Sequence, residues 1–129
     1  MATETSIVTR TDFVTVPTKD FEAAAKFYGD VLGLPCSVRY PRMPGGEFET
    51  GNLTLSVIEP KHVGMDYSPN KNPIALHVED MEAARSELES RGVAFAGDTF
   101  DTGVCHMAFF ADPDGNALML HSRYAPRED

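Results

Sequence analysis

The spacing of apolar residues changes period several times along the chain, and the changes recur. Phe13 to Val16 is a short run rich in β-branched residues and closed by Pro17, which predicts a strand. Asp20 follows, a residue whose carboxylate can accept from the free N–H groups at a helix start. Ala24, Phe27, Tyr28 and Val31 then recur at helical spacing, so one helix face is apolar. Gly33 ends that helix and Pro35 prevents its continuation. Cys36 to Tyr40 reads as a second strand, and Pro41-Arg42-Met43-Pro44-Gly45-Gly46 as a loop. Glu47 to Thr50 and Leu53 to Ile58 form a hairpin around Gly51-Asn52. The pattern then starts again. Ile74 to Val78 is a strand, and Asp80 caps a helix whose apolar face is Met81, Ala84 and Leu88, ended by Gly92. Val93 to Ala96, Val104 to Ala111 and Ala117 to Ser122 are strands, the last two joined by Asp112-Pro113-Asp114-Gly115-Asn116.

The order is therefore β-α-β-β-β twice. Asp20-Phe21-Glu22-Ala23-Ala24 and Asp80-Met81-Glu82-Ala83-Ala84 mark the two copies, 80 − 20 = 60 residues apart. The expected organisation is one α+β domain with module one at 12–59, a linker at 60–72, module two at 73–122 and a tail at 123–129. Residues 1–11 read as a loose terminus. Two such units packed about a pseudo-twofold axis leave a cleft, and function reduces to which side chains line it.

Bulk properties narrow the classes. The net charge of −9 argues against nucleic acid, whose phosphates are neutralised by clustered Lys and Arg. No apolar run approaches the roughly 20 residues of a membrane span, and the polar start has no signal-peptide pattern. A cytoplasmic location is the default expectation. Two cysteines, Cys36 and Cys105, are too few for a disulfide framework and read as small buried hydrophobes. There is no phosphate-binding glycine loop and no Gly-x-Ser-x-Gly elbow. Asp112 and Asp114 are accounted for by their turn.

Three features resemble the vicinal oxygen chelate superfamily, which includes glyoxalase I, bleomycin-resistance proteins and extradiol dioxygenases. They are Asp20 through Phe27-Tyr28 to Leu32-Gly33-Leu34, the Asp112-Pro113-Asp114-Gly115-Asn116 turn before the last strand, and the tandem repeat itself. The resemblance implies two modules forming a U-shaped cup with the helices outside. It also implies, in members with metal chemistry, a divalent ion held by His, Glu or Gln from the first and last strands of each module. Those positions fall here on Phe13, Pro73 and Met119, and on Leu55, or on Thr54 or Ser56 if the hairpin register slips by one. Phe, Pro, Met and Leu are not ligands for a hard or borderline divalent ion.

The cup walls expected from strand alternation are Phe13, Thr15, Tyr40, Phe48, Leu55, His77, His106, Met119 and His121, although alternation does not fix the face of His106. This composition suits binding of an organic small molecule, with apolar surface for affinity and a few polar groups for orientation. The expected function is metal-independent binding or sequestration, with no cofactor and no assigned catalytic residue. The alternative is a lyase, isomerase or dioxygenase with a relocated metal site at His77, His121 and Glu59. A further possibility is a module with no small ligand, in which Phe13, Leu55 and Met119 simply fill a core. A homodimer is expected from the resemblance and from the limited core such a chain can bury alone.

Overall fold

The computed structural model describes residues 6–127. Module one contains β1 (Phe13–Pro17), α1 (Phe21–Lys26), a π-helical turn (Phe27–Val31), β2 (Cys36–Arg39), β3 (Gly45–Glu49) and β4 (Thr54–Ile58). After a 3₁₀ turn at Pro60–Val63, module two contains β5 (Ile74–His77), α2 (Met81–Ser90), β6 (Ala96–Asp101), β7 (Cys105–Ala111) and β8 (Ala117–Arg123). The strand orders are β1-β4-β3-β2 and β5-β8-β7-β6, the same arrangement twice. β1 runs parallel to β4 and β5 to β8, and the remaining neighbours are antiparallel. The tandem β-α-β-β-β reading holds. No helix among the described residues is long and apolar enough to cross a membrane.

The helices start where their caps predict. Asp20 accepts from the Ala23 N–H at 3.3 Å, and Asp80 from the Ala83 N–H at 3.1 Å. Glu59 adds a second acceptor for α1, taking the Phe21 N–H at 3.0 Å, where a carboxylate also complements the helix dipole. The first helix does not stay regular to Gly33 as expected. It widens into the π turn, with Leu32 N–H bonded to the Phe27 carbonyl at 2.9 Å. Phe27 and Tyr28, adjacent in sequence, are both buried there.

Three boundaries differ from expectation. β3 begins at Gly45, inside the expected loop. The third-last strand is Ala96–Asp101 rather than Val93–Ala96; Val93 instead donates its N–H to the Leu88 carbonyl and closes α2. The linker carries the 3₁₀ turn. Tyr124, in the tail, is held by its hydroxyl, which donates to Asp101 at 2.7 Å. Residues 1–5 of the expected loose terminus lie outside the described residues.

Each sheet has one helix-covered face and one open face. Val14 and Val16, Phe48, Leu55 and Val57 point to the covered side in module one; Ile74, Leu76, Ala108, Phe110, Leu118 and Leu120 do so in module two. The covered sides share one hydrophobic core, with the rings of Phe27 and Phe110 6.4 Å apart across the modules. Burial of each such large side chain contributes about 1.5–3 kcal/mol.

A buried polar lock joins the modules at the Asp112–Asn116 turn. Asp112 is 6% exposed and accepts from the Tyr28 hydroxyl (2.7 Å), the Asp114 and Asn116 N–H groups (both 2.9 Å) and the Asn116 side-chain amide (2.7 Å). Asn116 also donates to the Pro17 carbonyl at 2.8 Å. Asp114 accepts from the Thr18 hydroxyl at 2.6 Å and the Lys19 N–H at 2.9 Å. The two aspartates thus do more than shape their turn: they fasten module two to the end of β1 and to the first helix.

Candidate functional site

The open sheet faces carry the candidate site, and the register decides which residues belong to it. Thr15 pairs with Ser56, as Ala75 pairs with Met119. Thr15 and Ala75 each lie five residues before their capping aspartate (20 − 15 and 80 − 75). The module-one counterpart of Met119 is therefore Ser56, not Leu55. Leu55 and Phe48 face the helices, 0% and 1% exposed, and leave the expected wall for the core. His106 leaves it too. It shares a face with Ala108 and Phe110, and its ring lies 4.9 Å from that of Tyr124.

On module one the open face is polar. Phe13 and Thr15 of β1 lie beside Thr54 and Ser56 of β4 and Glu47 and Glu49 of β3. Tyr40 folds over this face and places its hydroxyl 2.7 Å from Glu47 and 2.8 Å from Ser56. Gly45 makes room for it: a Cβ there would lie 2.8 Å from the Tyr40 ring. Burial raises the Tyr40 pKa; the hydrogen bond with Ser56 opposes the rise, and the Glu47 carboxylate adds to it. Glu49 accepts from the hydroxyls of Ser37 and Thr54, which hold its carboxyl below the usual range. Neither Glu47 nor Glu49 has a cationic partner among the described residues.

On module two the open face is apolar with a basic end. Phe109 pairs with Met119 and Met107 with His121; Phe100, opposite Met107, is 56% exposed. His77 and His121 are direct cross-strand partners on this face. His77 also contacts Glu79. Arg123, opposite Cys105, closes the row; its Nε is buried without a hydrogen-bond partner among the described residues.

Six of the expected wall residues thus lie on open faces: Phe13, Thr15 and Tyr40 on one sheet, His77, Met119 and His121 on the other. Glu47, Ser56, Met107 and Phe109 join them. Strict alternation outward from Met119 finds Met107 and Phe109 once β7 and β8 are paired; Ser56 needs the β1–β4 register, which no local signal supplies.

The donor set does not fit the superfamily's usual metal centre. At the corresponding positions stand Phe13, Ser56, Pro73 and Met119, one hydroxyl and one thioether, where a divalent ion wants imidazole or carboxylate. Glu59, the third residue of the alternative site, is engaged at the start of α1. Its carboxylate caps α1 and lies 3.5 Å from His62 and 3.9 Å from Lys61. Among the described residues no three His, Cys, Asp or Glu side chains converge. Cys105 is buried as expected and Cys36 is exposed.

The family profile "Glyoxalase/Bleomycin resistance protein/Dioxygenase superfamily" matches residues 10–120. A search of curated protein sequences returns no match. Among solved structures, TnmS3, an antibiotic binding protein from Streptomyces sp. CB03234, is similar with TM-score 0.78 and 24% identity, covering 92% of this chain and 99% of that one. A glyoxalase/bleomycin resistance protein from the same Streptomyces strain gives TM-score 0.70 and 26% identity over 88% of this chain and all (100%) of that one. Lactoylglutathione lyase from Agrobacterium tumefaciens gives 0.75 and 16%, covering 88% and 93%. These likenesses extend to an antibiotic binder and to a lyase alike, so they speak for the fold and not for one activity. With a profile match across both modules and the same tandem fold, the chain belongs to the glyoxalase/bleomycin resistance protein/dioxygenase superfamily.

Proposed function

We propose that this protein binds an organic small molecule on its open sheet faces without a metal ion, as a sequestering member of the superfamily. The observation that carries this is the donor set: Phe13, Ser56, Pro73 and Met119 at the usual metal positions, beside a solvent-facing row of Met107, Phe109 and Met119. The apolar row supplies contact area for a ring system. Glu47, Tyr40 and Ser56 supply a few fixed polar groups for orientation. Similarity to an antibiotic binding protein supports the same reading.

The two faces are complementary in charge. Module one presents Glu47 and Glu49, and module two ends in Arg123. We assign a homodimer in which module one of one copy faces module two of the other, completing the cup across the boundary.

A second reading has one observation in its favour. His77 and His121 are cross-strand partners, close enough in Cβ spacing to share a ligand. In that reading they hold a relocated metal in a lyase- or dioxygenase-type enzyme.

The test is a thermal-shift panel of aromatic and amphiphilic antibiotics in the presence of EDTA. A ligand at 100 times its Kd stabilises by about 2.7 kcal/mol, a rise on the order of 10 °C for a chain this size. The proposal expects such a rise, unchanged by EDTA and abolished by Phe109→Ser. A rise that EDTA removes favours the second reading.

A further inference from the structure

The pseudo-twofold axis relates two junctions between the modules, and only one of them is filled. At the first, Phe27 and Tyr28 occupy the space between the covered faces, and the Asp112–Asn116 turn closes over them. Sixty residues on, their counterparts are Glu87 and Leu88. A charged side chain turned outward and a leucine replace two buried rings. The turn facing them, Thr50 to Leu53, has four residues where the other has five (50–53 against 112–116) and carries no aspartate.

The consequence is a cleft of about 510 Å³ on the helix side of the sheets, walled by residues of both modules. Leu32, Leu34 and Leu53 line it from module one, and Ile74, Leu76 and Leu88 from module two. This volume lies within the roughly 300–1,000 Å³ of small-molecule sites, which also favour boundaries between packed units. The wall is mostly aliphatic, with Thr50 and Asn52 as its uncharged polar points, a composition that suits a small organic molecule.

The rim determines the occupant's charge. Arg91 is tied on two sides: its Nε lies 3.0 Å from Glu87, and its Nη1 donates to the Val31 carbonyl at 2.9 Å. His77 at the mouth contacts Glu79. The charged groups at the edge are thus paired with one another, and among the described residues the cleft is lined by no unpaired charge.

We propose that this cleft is a second binding site for a neutral, largely apolar small molecule; it lies on the helix side of the sheets and borders the open face of module two only at Ala75 and His77 of β5. Glu87 and Leu88, in place of two rings, leave it open, and the pairing of the rim charges gives an ionic ligand no free counter-charge.

The test uses the neutral fluorophore N-phenyl-1-naphthylamine, whose emission rises in apolar surroundings, titrated into the intact protein. The expected result is saturable binding at one site per chain, weakened at least tenfold by Leu88→Phe or by Leu53→Phe. These two variants fill the cleft from opposite modules, so a folding defect in one leaves the other informative. Binding is expected to survive Met119→Gln, which alters only the open face. Loss on Met119→Gln with retention in both cleft-filling variants would place the dye on the open face and overturn the proposal, as would absence of saturable binding. A change in sedimenting mass on Leu88→Phe and Leu53→Phe would overturn it in favour of a contact between copies. Tighter dye binding after removal of residues 1–8 would do so in favour of the apolar Ile7-Val8 arm as occupant.

Discussion

Tyr28 is fully buried, yet its hydroxyl ends on a carboxylate that belongs to the other module, 84 residues away. Removing that hydroxyl leaves a buried acceptor short of one partner. Tyr28→Phe is therefore expected to cost about 1–3 kcal/mol of stability in urea unfolding. The same contact sets a pH dependence. Burial, and then the negative charge of Asp112, push the Tyr28 phenol well above its ordinary value. A group whose pKa is raised on folding contributes fully below its unfolded value, about 10, and its contribution fades as pH rises beyond that. Stability should fall as pH climbs above about 10, and Tyr28→Phe should make the fall shallower, as read from unfolding midpoints between pH 8 and 11. Tyr67, raised by burial and by Asp114, adds a smaller part of the same sign. None of this was legible in the sequence. The aspartates announced a turn, but nothing local indicates that their remaining lone pairs reach across the molecule to Tyr28 and Thr18. Ser56 was hidden for a different reason. It is 4% exposed although it faces the open side, because Tyr40 covers it. In Leu55-Ser56-Val57-Ile58 every residue is buried, so alternation has no contrast from which to read a face.

The elements most legible from sequence were those with both a cap and a period. Asp20 and Asp80 place the two helices, and the turn residues place β7 and β8. β6 failed because it is a largely exposed strand at a sheet edge, Ala-Gly-Asp-Thr-Phe-Asp, with no apolar alternation to mark it. β3 failed at its start because Gly45-Gly46 carry loop signals. Their reason is packing. A Cβ on Gly46 would meet the Val38 carbonyl at 2.8 Å and the Phe21 ring at 3.0 Å. The backbone oxygen has little freedom to move. Gly46→Ala should therefore destabilise by about 1–3 kcal/mol, the usual cost of overpacking. Gly45→Ala should instead act on the site, since the group at 2.8 Å is the Tyr40 ring, although the Val57 carbonyl at 3.0 Å adds some strain. The expected outcome is weaker ligand binding out of proportion to the fall in melting temperature, measured by thermal shift with and without a binding antibiotic.

For the molecule as a whole, the repeat gave the architecture but not the relation between the modules. Two copies of one pattern predict two equal sheets. They do not predict that one junction is closed by aromatic rings and a buried aspartate while the other stays hollow. The open faces are likewise unequal, one hydroxyl-rich and acidic, the other apolar with histidines and Arg123. We expect sedimentation at micromolar concentration to give twice the chain mass, with Glu47→Lys/Glu49→Lys shifting the equilibrium toward monomer and added salt weakening the wild-type dimer. A monomer at all concentrations would contradict the dimeric cup.

The proposed ligand is held by organic contacts rather than by a metal, and one measurement reads both. Native mass spectrometry of protein purified without chelator or metal affinity is expected to show a chain carrying an organic adduct of several hundred daltons and no divalent ion. One divalent ion per chain, lost on His77→Ala or His121→Ala, would contradict the metal-independent assignment and favour the relocated-metal reading in its place.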